Sequence, residues 1–403
     1  MVRRSKKMNY AKRAAELDET IRAHRHWLHR HAELSYQEHE TTAYIVSCLK
    51  KLGIEVQTFP DYTGCIATIR GDTPGKTVML RADIDALPIE EHSGVPFESE
   101  HPGVMHACGH DCHASMLLGA AQILQESREG LRGTVKLLFQ AAEEAFYGAR
   151  YYWDRGHLSD VDAAMGMHVW PTVESGHLTV QDGYLMAGCD NFVLTVRGKA
   201  AHGSRPDEGC DAIVAASSII LNLQTVVSRI NTPLNPLVVT IGSIRSGTQF
   251  NIISDTAVLE GTVRSYAPET KDVAEDAIRR IVTETAAMYG CTAELDYDRI
   301  EPCVCNADTA LNDVARASAR KLYGGDILRP TERATGSEDF SYLMEKIPSS
   351  LFVFLGCYDE ESGCVYPVHN EKFRINEEIL QVGAAEYAQF ARDYLEQKAG
   401  EAS

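Results

Sequence analysis

KTVMLRAD (76–83) is one of four apolar, β-branched runs from which the architecture can be worked out; the others are GCIATIR (64–70), GTVKLLFQ (133–140) and AAMGMHVW (163–170). Short runs of this kind predict buried strands. Helical stretches at 113–126 and 145–155 lie between them. Because strands that alternate with helices form parallel sheets with helices on both faces, the sequence predicts an α/β fold with a mostly parallel sheet.

A different order of elements follows. Strand-like runs and helices alternate as strand 191–198, helix 210–228, strands 237–244 and 256–266, helix 268–288 and strand 291–299. This β-α-β-β-α-β order is typical of a ferredoxin-like α+β domain. After it, a helix at 307–323, the strand LFVFLG (351–356) and a helix at 377–396 return to the first pattern. We therefore predict a catalytic α/β domain in two parts, 1–186 and 303–403, with an inserted ferredoxin-like domain at 187–302.

Composition narrows the class of function. The 403 residues carry 57 Asp and Glu against 39 Lys and Arg, a formal net charge of −18, which disfavours binding to nucleic acid or to an anionic membrane surface. No apolar run approaches the roughly 18 residues that would span a bilayer, and no apolar signal-peptide segment follows the basic start. Eleven scattered cysteines indicate a reducing compartment, so we predict a cytoplasmic protein, with either Met1 or Met8 as the natural start.

Chemically reactive side chains follow the predicted strands. Asp85 comes after the strand 76–83, Glu143 and Glu144 come after 133–140, and His168 lies within the run 163–170. The loop MHACGHDCH (105–113) opens a helix. Because ligands bind at the carboxyl ends of strands in open α/β sheets, we expect these side chains to converge on one crevice.

The chemistry of this group favours a divalent metal. Cys108, His110, Glu144 and His168 offer a thiolate, two imidazoles and a carboxylate, the donors that suit zinc and related ions. Neighbouring side chains of an extended segment point to opposite sides, so one glutamate of the pair could bind metal while the other handles a proton. A single histidine or a glutamate pair is more often structural; the group as a whole carries the prediction.

The densest histidine group in the chain lies elsewhere. His24, His26, His29 and His31 alternate with arginines on a helix, with no acidic ligands nearby in the sequence. We interpret them as a polar helix face.

Motifs along the chain resemble those of the aminoacylase and carboxypeptidase group of binuclear metallohydrolases, and most closely its N-acyl-amino-acid amidohydrolase branch, which includes hippurate and auxin-conjugate hydrolases. The resemblance covers nearly the whole chain. It is carried by RADIDALPI, MHACGHDCH, QAAEE, GMHVWP, RGKAAHGSRPDEGCDAI, FNIISD, GTVRS, GSEDFS and VHNEKFR.

The resemblance implies a function for each matching residue of the catalytic domain. It implies two divalent ions per subunit, zinc or manganese first, with cobalt and nickel as alternatives. Their ligands would be Cys108, as a bridge between the ions, with His110, Glu144, His168 and His369. Glu143 would be the general base, and Asp85 would orient one of the ligands. Spacing alone does not single out His369.

For the inserted domain, the resemblance implies a lid and dimerisation role. His202 would stabilise the oxyanion, in dimeric members from the partner subunit, and Asn251 and Arg264 would hold the substrate's carbonyl or carboxylate. The predicted function is metal-dependent hydrolysis of N-acyl-L-amino acids by a homodimer or higher homo-oligomer. A dipeptidase, an aminobenzoyl-glutamate-type hydrolase and a catalytically silent metal-binding protein are the alternatives.

Overall fold

The computed structural model describes residues 8–401; the basic start that raises the choice between Met1 and Met8 lies outside the described residues. The helices are α1 (Tyr10–Glu16), α2 (Asp18–Arg30), α3 (His39–Lys51), α4 (His110–Glu126), α5 (Gly148–Asp154), α6 (Ala212–Thr225), α7 (Pro268–Met288), α8 (Thr309–Tyr323), α9 (Phe340–Lys346) and α10 (Ile379–Glu401). The strands are β1 (Glu55–Phe59), β2 (Tyr62–Arg70), β3 (Thr73–Asp83), β4 (Arg132–Gln140), β5 (Ala163–Glu174), β6 (Leu178–Thr179), β7 (Gly183–Met186), β8 (Gly188–Arg197), β9 (Ala201–His202), β10 (Leu237–Ser246), β11 (Ile252–Ile253), β12 (Thr256–Ser265), β13 (Thr292–Glu301), β14 (Val304–Asn306) and β15 (Ser350–Tyr358).

The chain divides into two compact units. The first comprises Met1–Leu185, Cys305–Glu332 and Tyr342–Ser403, and the second comprises Met186–Val304 and Arg333–Ser341. The second unit therefore takes in a short segment, Arg333–Ser341, that the boundaries 187–302 leave out.

The first unit is built on a seven-stranded sheet in the order β1-β2-β4-β3-β5-β15-β6. Its four central strands, β4, β3, β5 and β15, pair in parallel, whereas β1, β2 and β6 pair antiparallel at the edges. Apolar side chains of the central strands are fully buried together with those of α4 and α10. The α/β prediction is confirmed, and the parallel strands direct their carboxyl ends to one edge.

Helix α4 begins three residues earlier than predicted, at His110 instead of 113. Gly109 precedes it with φ 85°, a left-handed conformation, and a Cβ at this position would lie 2.4 Å from Val169 Cγ2. Only glycine meets both conditions. His110 is thereby placed in the first turn of the helix, directly after Cys108 and Gly109.

The second unit has a four-stranded antiparallel sheet in the order β10-β12-β8-β13, with α6 and α7 sharing its core. Since the elements follow in the order β8-α6-β10-β12-α7-β13, the ferredoxin-like prediction is confirmed.

One helical segment of the second unit is unusually apolar. The helical segment Ala212–Ile230, which is α6 with a π-helical turn, is long and apolar enough to cross a membrane by length and composition. Ser217, Asn222 and Gln224 interrupt the apolar letters, so no unbroken run is visible in the sequence. The inward side of α6, which includes Ala215 and Ile219, is buried in the core of the second unit.

Candidate metal centre

Two groups of metal-binding atoms share Cys108. The ligand atoms of Cys108, His110 and His168 lie within 4.8 Å of one another, and so do those of Cys108, Glu144 and His369. Cys108 Sγ is 3.4 Å from His168 Nε2, and His369 Nε2 is 3.3 Å from Glu144 Oε1. The structure thus brings the five residues of the predicted ligand set together, with the thiol common to both groups.

His369 reaches this cluster through its backbone. Its N–H donates a 2.8 Å hydrogen bond to the carbonyl oxygen of Ala107, the residue before Cys108. His369 also has φ 62°, a left-handed conformation that is uncommon for residues other than glycine and that concentrates at functional sites. These features depend on the folded chain, which is why spacing in the sequence does not reveal this histidine.

Hydrogen bonds to the far ring nitrogens orient two imidazoles. His110 Nδ1 lies 3.0 Å from the carbonyl oxygen of Asp85 and 3.1 Å from its Oδ1, and His168 Nδ1 lies 2.6 Å from the carbonyl oxygen of Val169. Both acceptors require Nδ1 to carry the proton, which leaves Nε2 as the donor atom for a metal. Asp85 makes the orienting contact that the resemblance implies for it.

Burial and charge at the cluster fit cations. His110 Nε2 and Glu144 Oε1 are buried, and neither has a hydrogen-bond partner among the described residues, since the 3.3 Å contact of Glu144 Oε1 with His369 Nε2 lacks hydrogen-bond geometry. Buried polar atoms normally have such a partner. Burial, followed by the carboxylates of Glu144 and Glu143, raises the pKa of the Cys108 thiol well above its usual range. A divalent cation would favour the thiolate and compensate the carboxylates.

The surrounding carboxylates also change the pKa of His110. Burial disfavours its imidazolium, yet Asp83 and Asp85 together raise the pKa of His110 to about 10. A cation bound at Nε2 would replace the proton there, so the carboxylates that stabilise the imidazolium would also stabilise the bound cation. The donor set of one thiolate, imidazoles and a carboxylate therefore suits two divalent ions.

Glu143 lies beside the two groups. Its Oε2 is 4.0 Å from His110 Nε2, and its ligand atom clusters with those of His110 and Glu144. The residue is 8% exposed. A carboxylate at this position can take a proton from a water molecule held between the ligands.

His113 and Asp83, which the sequence did not single out as site residues, support the strand end next to the cluster. Val169 N–H donates to His113 Nε2 at 2.9 Å, while His113 Nδ1 lies 2.5 Å from Asp83 Oδ1. Because His113 Nε2 already accepts a hydrogen bond, this histidine supports the strand end next to His168 and is not a metal donor here. The spacing of His110 and His113, three residues apart on a helix, could have indicated that the two share a face.

The interpretation of the amino-terminal histidines as a polar helix face was wrong for part of α2. Arg25 and His29 are each 2% exposed, and both bind Asp111 Oδ2 at 2.9 Å; His29 also binds Glu91 at 2.9 Å. Burial opposes its charge, but Asp111 raises the pKa of His29 to about 9. The acidic partners are distant in sequence, so the local pattern of histidines and arginines gave no sign that these side chains are buried.

The predicted substrate-binding residues lie in the second unit. His202 is exposed on β9, opposite Ile252 of β11, and Asn251 accepts a 2.8 Å hydrogen bond from Gly203 N–H through its carbonyl oxygen. His202 and Asn251 are thus neighbours. Arg264, on β12, donates from Nη1 to Ser337 Oγ at 2.9 Å. Their roles stay predictions.

Comparisons with known proteins identify a matching family and similar hydrolases. The model of peptidase family M20/M25/M40 matches residues 79–393. The chain is 40% identical over 360 residues to N-acetyl-L-cysteine deacetylase of Bacillus subtilis, covering 89% of this chain and 84% of that protein. It is 38% identical over 405 residues to IAA-amino acid hydrolase ILR1-like 2 of Arabidopsis thaliana, covering 99% and 90%.

A solved structure extends the likeness to the whole fold. The crystal structure of the Bacillus subtilis YXEP protein, a dinuclear metal binding peptidase from the M20 family, matches with a TM-score of 0.84 at 36% identity. The match covers 95% of this chain and 99% of that one.

Proposed function

Because the chain belongs to peptidase family M20/M25/M40 and is therefore a metal-dependent hydrolase of amide bonds, we propose that its substrates are N-acyl-L-amino acids. The products would be a carboxylic acid and a free amino acid. The observation that carries the proposal is the pair of ligand groups sharing Cys108, with the Glu143 carboxylate beside them. Two of its relatives act, by name, on an N-acetylated amino acid and on an IAA–amino acid conjugate.

The residues of the first unit would bind the metal ions and transfer the proton. Cys108, His110, Glu144, His168 and His369 would hold two divalent ions, zinc or manganese first. When bound, these ions supply Lewis-acid polarisation of the scissile carbonyl and of a water molecule. Glu143 takes a proton from the attacking water and passes it to the leaving nitrogen, which departs as an amine.

Residues of the second unit would bind the substrate, as the resemblance implies. His202 would donate a hydrogen bond to the oxyanion that forms from the carbonyl, and Asn251 would help to hold the same group. Arg264 would bind the substrate carboxylate, since a guanidinium suits two-point contact with a carboxylate. A net charge of −18 makes such a local cation necessary for an anionic substrate.

A substrate panel tests the proposal. Acetyl-, benzoyl- and indoleacetyl-amino acids, the same compounds with the carboxylate amidated, and dipeptides would be offered to metal-stripped protein with zinc, manganese, cobalt or nickel restored in turn. We expect hydrolysis only with metal, faster for N-acyl amino acids than for dipeptides, and strongly reduced by amidation. Faster cleavage of dipeptides would favour the dipeptidase alternative, and no hydrolysis with any ion would overturn the proposal.

We also propose that the protein is a homodimer. The second unit exposes apolar side chains on α6, where Leu221 is 71% exposed and Val214 is 45% exposed, and on the edge strand β10, at Val238 and Ile244. Exposed apolar surface of this extent is typical of an interaction site. Light scattering should give twice the mass of the 44.5 kDa chain, and Leu221→Glu should shift the protein to monomer. A monomeric wild-type protein would contradict this proposal.

A further inference from the structure

The backbone on either side of Glu143 is held by two different buried carboxylates. Ala142 N–H donates to Glu38 Oε1 at 2.8 Å, and Glu144 N–H donates to Asp85 Oδ2 at 3.0 Å. Glu143 therefore sits between two fixed amides. Asp85 is already connected to the ligand set through His110, whereas no hydrogen bond among the described residues joins Glu38 to any of the five ligand residues.

Glu38 comes from a distant part of the chain. It directly precedes α3 and lies 104 residues before Ala142 in sequence. Its side chain is completely buried, and its second oxygen, Oε2, accepts a hydrogen bond from Thr63 Oγ1 at 2.5 Å. Both carboxylate oxygens are thus occupied by donors, as burial of a charged group requires. Burial, followed by the nearby charge of Asp85, raises the pKa of Glu38 to about 7.

The amide that Glu38 holds belongs to a residue in an unusual conformation. Ala142 has φ 59°, in the left-handed region that residues with a side chain rarely adopt. Such a conformation persists only where the surrounding structure enforces it. The bond from Ala142 N–H to Glu38 is an enforcing contact, and the turn that it fixes carries Glu143 out of β4.

We propose that Glu38 is a positioning residue, which fixes the backbone at Ala142 and thereby sets where the carboxylate of Glu143 lies. The proposal rests on the proposed function, because it takes Glu143 to be the general base. Asp85 fixes the backbone amide of Glu144 in the same way, and so fixes where the Glu144 side chain lies. Loss of Glu38 should accordingly disturb proton transfer and leave metal binding intact.

Two substitutions of Glu38 separate the effect of side-chain length from that of charge. Glu38→Gln keeps the length of the side chain: its amide oxygen can accept from Ala142 N–H, and its NH₂ can donate to the Thr63 hydroxyl, which also accepts. Glu38→Asp keeps the charge but is one methylene too short to hold both partners. We expect E38Q to stay within about threefold of the wild-type kcat and E38D to lose about 10- to 100-fold, since a misplacement of about 1 Å can cost 10²-fold.

The readouts distinguish positioning from general damage. Metal content by elemental analysis, KM and the pH dependence of kcat should match the wild type in E38Q, and E38D should change kcat with little change in metal content or KM. Glu38→Ala should behave as E38D if it folds; the E38Q and E38D pair decides the question if it does not. Thr63→Val, which removes only the second partner of Glu38, serves as the matched control and should have a smaller effect than E38D.

The outcomes also separate this role from the proposed function. No hydrolysis by the wild-type protein in the substrate panel would overturn both. An active wild type with an equally active E38D would overturn the role of Glu38 alone. An inactive E38Q beside an active E38D would overturn it as well, because Glu38 would then act through its charge.

Discussion

Glu143→Gln is expected to lower kcat by about 10²- to 10⁴-fold, the range that general acid–base catalysis contributes. The carboxylate of Glu143 lies next to His110 and Glu144 but outside both ligand groups that share Cys108. A glutamine has nearly the same shape and cannot accept the proton of the attacking water. Turnover of the best substrate in the panel gives kcat, and elemental analysis should show unchanged metal content.

The adjacent glutamate provides the matched comparison. Glu144→Gln alters a residue of the Cys108, Glu144 and His369 group, so metal content should fall along with activity. The two variants differ by one position and involve the same chemical change. A Glu143→Gln protein that retains more than about a tenth of the wild-type kcat would exclude this residue as the general base.

Much of the site could be predicted because β3, β4 and β5 are parallel. Their carboxyl ends meet at one edge of the sheet, and Asp85, Glu143 and Glu144 follow those ends directly. The loop 105–113 could be identified because a glycine between two possible ligands has little reason to occur in a packed segment. The structure gives that glycine a second reason, since a Cβ at Gly109 would collide with Val169.

The remaining features depend on contacts between distant parts of the chain. His369 lies beside Cys108 because its amide binds Ala107, and Arg25 and His29 are buried because Asp111 faces them. Glu38 meets an amide 104 residues away. No periodicity encodes pairings of this kind, so only the resemblance supplied His369, and nothing in the sequence pattern distinguished Glu38 from the other glutamates near it.

Cys108→Ala is expected to have the second large effect, on metal content itself. Cys108 is common to both ligand groups, so its removal would take one candidate donor from each group, whereas each of the other four residues belongs to only one of the two. Loss of a residue that only hydrogen-bonds to a metal ligand already costs about 10- to 100-fold in metal affinity. Loss of a shared ligand should cost more. Elemental analysis after dialysis against a chelator should show less bound metal than in the wild-type protein treated in the same way.

The chain offers a closely matched control in Cys112. This thiol is also buried and lies in the first turn of α4, four residues after Cys108; its Sγ is 3.6 Å from Asp111 Oδ1, and it belongs to neither ligand group. Cys112→Ala removes the same atom from a comparable environment and should keep both ions and most activity. Restoring cobalt to the stripped proteins adds a direct test, because absorption from a thiolate–cobalt bond should appear with C112A and be lost with C108A. Two tightly bound ions in C108A would show that the thiol does not bridge them.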